Sequence, residues 1–347
     1  MFRDSTEKGE SMIIYIYAAG CPNSCRHCAA NGGPPYGGFY SLDYMRVIAS
    51  EWGPIVPYLE STAHPDFPEI MDPQIVGEGN TILGTTGFGL AERDDYMAVF
   101  SRLREFGYTG IFFTLHGLEE KHDWFACRKG AFQTILEASG KAAEAGFRIT
   151  WNVFLDQRNL EDIPPLQVLG KQEFGIPSLS PEVPRHRVSH RMWQYEKLRP
   201  RLGDVKELLL GMDTEAWTGW LKDRPLDEFT ESAWLNAWRK EPHSDEFMGR
   251  RDPRSWPQPP RFDDIIHIDV DGQVFLDPQY GELILIGRLS DGKDEILRRI
   301  QQVATPPFSD MSPEEAQLPE SDSELLHPHG HSVRCKAIST ALYGNGI

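Results

Sequence analysis

The sequence predicts an α/β fold in which strands and helices alternate along the chain. Three observations support this prediction: short apolar runs recur through the first half, amphipathic helical segments lie between them, and turn residues separate the two. Consecutive strands that are joined by helices are parallel and have right-handed crossovers. They form either a partial barrel or an open sheet, and in both the functional site lies at the carboxyl ends of the strands.

The first half of the chain contains six predicted strands, at 12–19, 54–59, 80–86, 110–116, 147–155 and 175–183. Helices are predicted between them at 41–51, 94–106, 131–145 and 162–169. Ser41 stands at the N-cap position of the first helix, where a serine hydroxyl accepts a hydrogen bond from a backbone N–H of the first turn.

The composition changes after about residue 185, where Trp- and Arg-rich segments begin. We predict helices at 190–198, 226–239 and 294–303, a proline-rich linker at 252–261 and a strand at 282–287. Apolar residues alternate on both sides of Asp271-Gly272, which predicts a β-hairpin over 265–276. We therefore expect an N-terminal tail (1–11), a core (12–185), a helical and β-hairpin extension (186–305) and a polar tail (306–347).

The charge of the chain and its apolar runs exclude several classes of protein. There are 52 acidic and 35 basic residues, which give a formal net charge of −17. Because proteins that neutralise nucleic-acid phosphates need a clustered basic surface, we expect no nucleic-acid partner. No apolar run approaches the roughly 20 residues of a membrane span, and the first residues, MFRDSTEKGESM, are too polar for a signal peptide. We expect a cytoplasmic protein without a membrane partner.

Three of the five cysteines, Cys21, Cys25 and Cys28, lie in the loop that follows the first predicted strand. They are too close together to join distant loops by disulfides, so they should be reduced thiols available as metal ligands. A structural zinc site needs four ligands, and His27 or a residue of the tail would have to complete it. An iron–sulfur cluster held by three thiolates instead keeps one iron open for another ligand.

The segment Cys21-Pro-Asn-Ser-Cys25-Arg-His-Cys28, directly after a first strand, resembles the CxxxCxxC motif of the radical S-adenosylmethionine superfamily. The similarity extends over residues 12–165. Glu60 resembles the glutamate that ends a Gly-Gly-Glu stretch after the second strand, although both glycines are replaced here.

Segments after the next three strands also resemble those of the superfamily. The similar segments are Thr85-Thr86-Gly87, which resembles a Thr-Asn-Gly stretch, Thr114-Leu115-His116-Gly117 after the fourth strand, and Asn152 and Asn159 on and beyond the fifth. Asn152 is placed like a residue that contacts the ribose or carboxylate of the cofactor.

The resemblance implies a partial (βα)6 TIM-like barrel with a C-terminal α+β extension. It also implies one 4Fe-4S cluster at the mouth of the barrel, with Cys21, Cys25 and Cys28 as its ligands and S-adenosyl-L-methionine on the open iron. The other implied cofactor-binding residues are Glu60, Thr85, Thr86, Gly87, Thr114 and Asn152.

The implied activity is reductive cleavage of S-adenosylmethionine to a 5'-deoxyadenosyl radical that abstracts hydrogen from a small-molecule or peptide substrate. It requires an external electron donor such as flavodoxin or ferredoxin. The extension lacks the cysteines with which many peptide-modifying relatives hold auxiliary clusters, so we expect none, and epimerisation, elimination, decarboxylation or rearrangement remain. The alternative is a non-catalytic zinc- or iron–sulfur-binding protein that uses the same cysteine loop.

Two residues after the fourth strand are candidates for a direct role in the reaction. Cys127 could return a hydrogen atom to a substrate radical, or it could be a small buried apolar residue. His116 could act as a general base, or it could be a hydrogen-bonded structural histidine. In the polar tail, Cys335 follows three alternating histidines that could bind a metal or cover the barrel, or could bind nothing specific.

Overall fold

The computed structural model describes residues 12–28, 39–177, 179–183, 195, 197–210, 226–240, 265–277, 283–303, 325 and 336. Its strands are β1 (Ile13–Ile16), β2 (Ile55–Pro57), β3 (Ile82–Thr85), β4 (Gly110–Leu115), β5 (Arg148–Phe154), β6 (Leu179–Glu182), β7 (Ile265–Ile268), β8 (Gln273–Leu276) and β9 (Ile284–Arg288). Its helices are α1 (Leu42–Trp52), α2 (Pro73–Val76), α3 (Phe88–Ala91), α4 (Tyr96–Glu105), α5 (Glu119–Ala126), α6 (Ala131–Glu144), α7 (Ile163–Phe174), α8 (Leu202–Leu210), α9 (Glu231–Lys240) and α10 (Lys293–Gln302).

The strands form two sheets that confirm the predicted α/β fold. One sheet has the order β3-β4-β5-β6, and all its neighbours are parallel. The other has the order β2-β1-β7-β8-β9, in which β1 is parallel to both β2 and β7. No ladder joins β2 to β3 within the described ranges, so the arrangement is a partial barrel that is open between these two strands.

Alternate residues of the parallel strands build the hydrophobic core. On β4 and β5, for example, Phe113 and Trp151 are fully buried, and the Trp151 indole N–H donates to Ser139 of α6 at 3.1 Å. Because successive side chains point to opposite faces of a strand, the half-buried residues between them lie on the other face. Thr114 and Asn152 are on this second face and are directly paired in register.

The ends of several predicted elements are confirmed by local hydrogen bonds. Ser41 caps α1, since its hydroxyl accepts from the backbone N–H of Tyr44 at 3.3 Å. In the predicted hairpin, Asp269 accepts from the N–H groups of Asp271 and Gln273, both at 2.9 Å. Gly272 has φ +75°, which is the left-handed conformation that a glycine adopts without steric cost.

The hairpin of the predicted extension joins the sheet of the predicted core. Strand β7 pairs with β1 along its whole length, from Ile13 opposite Ile265 to Ile16 opposite Ile268. Strands β8 and β9 then continue this sheet in antiparallel order. The predicted linker at 252–261 and most of the predicted helix at 190–198 lie outside the described residues, and none of the described helices is long and apolar enough to cross a membrane.

Candidate active site

The cysteine loop follows β1 at the carboxyl end of the sheet and packs against the end of α5. The backbone N–H of Ser24 donates to the carbonyl of Ala126 at 2.9 Å, and that of Arg26 donates to the carbonyl of Phe125 at 3.0 Å. The last carbonyls of a helix have no partner within the helix, so they are available to accept these bonds. Helix α5, which the sequence pattern did not predict, therefore positions the loop.

Burial disfavours the ionisation of two of the loop thiols. Burial, with the nearby charge of Glu60 as a further cause, raises the pKa of the Cys21 thiol to about 12, while a backbone hydrogen bond of Asn23 and the charge of Arg128 oppose the shift. Burial also raises the pKa of Cys25, with the other two loop cysteines and Cys127 as further causes. A metal that binds thiolates must therefore displace protons here.

The donor set fits an iron–sulfur cluster. The three loop cysteines are partly buried and are not in disulfides, so their thiols are available as ligands. A cluster is held by cysteine thiolates that bind different irons.

His27 lies in a buried group of rings beside the cysteine loop. Its ring packs among His116, Phe125 and Phe154, at centroid distances of 5.0, 5.3 and 4.8 Å. Burial lowers the pKa of His27 to about 3, so the imidazole is neutral at physiological pH. The predicted tail ligands, among them Cys335, lie outside the described residues.

The carboxylate of Glu60 is buried and receives several hydrogen bonds. Its Oε1 accepts from the hydroxyls of Thr62 and Thr85, the latter at 2.6 Å. Its Oε2 accepts from the backbone N–H of Thr86 at 2.6 Å and from the Thr86 hydroxyl at 2.5 Å. Glu60, at the end of β2, thereby holds the residues at the end of β3, where no strand ladder joins the two strands.

The residue before Glu60 adopts a backbone conformation that glycine favours, although it is not a glycine. Leu59 has φ +69°, the left-handed conformation that is uncommon for residues other than glycine. This turn directs the backbone N–H of Glu60 to the carbonyl of Gly20 at 3.2 Å, at the start of the cysteine loop. The chain therefore makes a left-handed turn at this position with a leucine.

Thr62 and Gly89 belong to the Glu60 network and were not predicted as site residues. The Thr62 hydroxyl, besides binding Glu60, accepts from the backbone N–H of Gly89 at 3.1 Å. A Cβ at Gly89 would lie 1.8 Å from the carbonyl oxygen of Thr62, so only glycine fits this position. The signal in the sequence was the Gly87-Phe88-Gly89 stretch, of which only Gly87, with φ +82° at the N-cap of α3, was selected.

The fourth and fifth strands bring their predicted residues together. Thr114, Asn152 and Ser180 lie side by side on three paired strands. Asn159 serves a local structural purpose, since its side chain donates to the carbonyl of Phe154 at 2.6 Å and accepts from the N–H of Asp156 at 2.9 Å. Thr114 and Asn152 are therefore on one wall of the partial barrel, whereas Asn159 braces the chain beyond it.

His116 lies in a buried group of rings at the end of β4. It stacks on Phe125 with a centroid distance of 4.1 Å, and its backbone N–H donates to Nδ1 of His122 at 3.1 Å. Burial lowers the pKa of His116 well below its usual value, with His27 and His122 as further causes. Within the described residues, Nδ1 of His116 has no hydrogen-bond partner.

Cys127 is exposed, so it is not the small buried residue of the alternative prediction. It ends α5 in the left-handed conformation, with φ +54° and ψ +33°. Its Sγ lies 3.7 Å from the carbonyl oxygen of Trp124 in the last turn of the helix.

A second polar wall, which the sequence did not predict, lies on the sheet formed by β1, β2 and β7. Nε2 of His267 is 3.3 Å from Oδ2 of Asp277, and both side chains are buried. The rings of Tyr15, Tyr17 and Tyr58 surround His267 at centroid distances of 5.1, 5.8 and 5.4 Å. No local pattern indicates this group, because its members come from strands separated by about 250 residues in sequence.

Comparison by sequence finds no matching protein-family model and no matching curated protein. Solved structures are similar in fold. The crystal structure of Streptococcus suis SuiB bound to the precursor peptide SuiA has 14% sequence identity and a TM-score of 0.50, over 87% of this chain and 67% of that chain. At this identity the likeness establishes the fold alone.

Two further structures are similar at lower TM-scores. SuiB of Streptococcus suis bound to S-adenosylmethionine has 14% identity and a TM-score of 0.45, over 76% of this chain and 59% of that chain. The present chain thus spans less than two thirds of that SuiB chain. Native anSMEcpe with bound AdoMet and Cp18Cys peptide has 13% identity and a TM-score of 0.48, over 94% of this chain and 96% of that chain.

Proposed function

We propose that this protein is a radical S-adenosylmethionine enzyme. The observation that carries the proposal is the position of Cys21, Cys25 and Cys28, spaced as CxxxCxxC, on the loop after β1 of a partial (βα)6 barrel. These three residues would hold one 4Fe-4S cluster. When bound, the cluster and S-adenosylmethionine supply a 5'-deoxyadenosyl radical.

The Glu60 carboxylate suits the cationic end of the cofactor. It is 1% exposed and forms no ion pair within the described ranges; its partners are hydroxyl and N–H groups. A buried carboxylate with only neutral partners is stabilised further when a ligand brings a positive charge beside it. The amino group of S-adenosylmethionine provides such a charge, and Thr85 and Thr86 keep the Glu60 carboxylate oriented to receive it.

The substrate would lie between the two polar walls of the partial barrel. One wall presents Thr114 and Asn152, and the other presents the tyrosines around His267. We propose a small-molecule or peptide substrate that undergoes epimerisation, elimination, decarboxylation or rearrangement. The peptide class is supported by the similarity in fold to SuiB, which was crystallised with a precursor peptide. An external carrier such as flavodoxin or ferredoxin would supply the electron.

The experiment is anaerobic reconstitution with iron and sulfide, followed by dithionite and S-adenosylmethionine without substrate. We expect a brown protein that releases 5'-deoxyadenosine, measured by chromatography. The Cys25→Ala variant should lose both properties. Cys127→Ala is the matched control, because it removes an exposed thiol outside the motif and should retain the cluster.

The same samples distinguish the alternative. A protein that stays colourless after reconstitution and carries one zinc per chain by metal analysis would be a zinc-binding protein, and the proposal would be wrong. An assembled cluster without 5'-deoxyadenosine, with or without candidate substrates, would indicate an iron–sulfur protein that does not cleave the cofactor.

A further inference from the structure

Two arginines and a tryptophan form a basic aromatic patch beside the cysteine loop. The guanidinium carbon of Arg26 is 4.0 Å from the centroid of the Trp124 ring, and that of Arg158 is 3.7 Å from the same centroid. Each contact is a cation–π interaction. In this patch, Arg26 lies in the cysteine loop, Trp124 in α5 and Arg158 in the turn after β5.

Neither guanidinium group forms an ion pair in the part of the chain that the structure describes. Arg158 is exposed and Arg26 is half-buried. The nearest acid in sequence, Asp156, is buried and accepts from the backbone N–H of Arg158 at 2.7 Å; the charge of Arg158 acts on this carboxyl without an ion pair. Asp123 uses both carboxylate oxygens to accept from the backbone N–H groups of Gly130 and Phe132.

Three other surface arginines are paired with carboxylates, which lie 2.7–2.9 Å from the guanidinium nitrogens of Arg93, Arg102 and Arg299. In a chain with a net charge of −17, two neighbouring cations that form no ion pair make a local positive site. Like charges that share one ring repel each other, and an anionic partner would relieve this repulsion.

The basic aromatic patch adjoins the cysteine loop. Arg26 directly follows Cys25 in sequence, and its Nε donates to the carbonyl of Trp124 at 3.1 Å. Trp124 and Cys25 pack against the same buried pair of rings, Phe125 and Tyr195. A protein that covers the patch would therefore stand next to a ligand of the cluster.

We infer that the basic aromatic patch is the docking site of an acidic flavodoxin-type electron carrier. The inference rests on the proposed function, because the cluster is the group that would accept the electron. One electron leaves the reduced flavin and enters the cluster, and no bond is formed or broken. An acidic carrier is repelled by the overall negative charge of this chain, so a local positive site beside the cluster selects the productive orientation.

The test compares two charge reversals in the reconstituted protein. Arg158→Glu reverses a charge of the patch. Arg148→Glu is the matched control, because Arg148 is also exposed and without an ion pair in the described ranges but lies at the amino end of β5, away from the cysteine loop. Bleaching of the cluster absorbance is followed by stopped flow with reduced flavodoxin as one reductant and dithionite as the other.

We expect Arg158→Glu to lower the second-order rate constant with flavodoxin by about tenfold at low ionic strength, and to weaken its dependence on salt. Arg148→Glu should behave as the wild type, and Arg158→Gln should give an intermediate rate. With dithionite all four proteins should be reduced at similar rates.

Equal flavodoxin rates in wild type and Arg158→Glu would overturn the docking site while leaving the proposed function intact. Equal losses with both reductants would also overturn it, because the arginine would then act on the cluster and not on the carrier. A protein that assembles no cluster would overturn the proposed function and this inference together.

Discussion

At the scale of single residues, burial decides the protonation of the groups around the cysteine loop. The thiols of Cys21 and Cys25 have a raised pKa and the imidazoles of His27 and His122 have a lowered pKa, in each case with burial as the largest cause. All four groups are therefore neutral at physiological pH in the absence of a metal. A cluster that binds here replaces thiol protons in surroundings that already exclude water.

The His116→Phe substitution should reduce the acid sensitivity of folding. Burial holds the pKa of His116 in the folded state well below its usual 6.5, so the unfolded state binds the proton more tightly. Stability is therefore lost as the pH falls below about 6.5. Phenylalanine keeps the stacking on Phe125 and cannot take up a proton.

The measurement is urea unfolding of wild type and His116→Phe at pH 8, 7 and 5. The two proteins should have similar pH dependence between pH 8 and 7, and the variant should lose less stability between pH 7 and 5. An equal loss in both proteins would show that His116 does not contribute to the acid sensitivity.

At the scale of elements, side-chain hydrogen bonds replace a strand ladder between β2 and β3. Glu60, at the end of β2, accepts from Thr85 and Thr86 at the end of β3 and also from Thr62. These donors are buried or half-buried, so without Glu60 they lose their acceptor and water does not fully replace it. The network therefore links the ends of β2 and β3, between which the partial barrel has no strand ladder.

Glu60→Ala should destabilise the protein by about 3 kcal/mol, because several buried donors lose their acceptor at once. Glu60→Gln should cost less, since the amide oxygen still accepts and the Thr hydroxyls can rotate to accept from its NH2 group. The measurement is the free energy of unfolding in urea. Glu92→Ala, at an exposed glutamate, is the control and should change stability by less than about 0.5 kcal/mol. An Ala variant as stable as the wild type would contradict the role of the network.

At the scale of the whole molecule, the sheet of the core depends on strands from the far end of the chain. Strand β1 lies between β2 and β7, and the residues of β7 are all buried. Strand β1, which leads into the cysteine loop, is therefore held by strand pairing on both of its sides. The loop is also held by backbone hydrogen bonds to the turn at Leu59 and to the end of α5.

A fragment of residues 1–185 should fail to fold. Without β7, the strand that leads into the cysteine loop becomes an edge with unpaired backbone groups and exposed Ile14 and Ile16, which favours aggregation. The measurements are soluble yield, far-UV circular dichroism and urea unfolding, compared with the full chain. Cooperative unfolding of the fragment would instead show that residues 12–185 form an independent domain.

Local sequence patterns predicted many of the elements and the position of the cysteine loop. Strands β1 to β5, the hairpin of β7 and β8, and the Ser41 cap depend on residues within about ten positions of each other, and such local patterns are visible along a chain. The cysteine spacing was equally local. For the same reason the motif residues Glu60, Thr85 and Thr86 could be selected before any contact between them was known.

The long-range contacts of these elements become visible only in the folded structure. The pairing of β1 with β7, the Glu60 network between β2 and β3, the packing of Tyr15 on His267 and the basic aromatic patch each join segments that are distant in sequence. Such contacts depend on the packing of the whole chain and on which polar groups remain to be satisfied when it is packed, and no local periodicity encodes them. The candidate cluster and cofactor ligands could therefore be selected from the sequence. The contacts that position them and the basic aromatic patch could not.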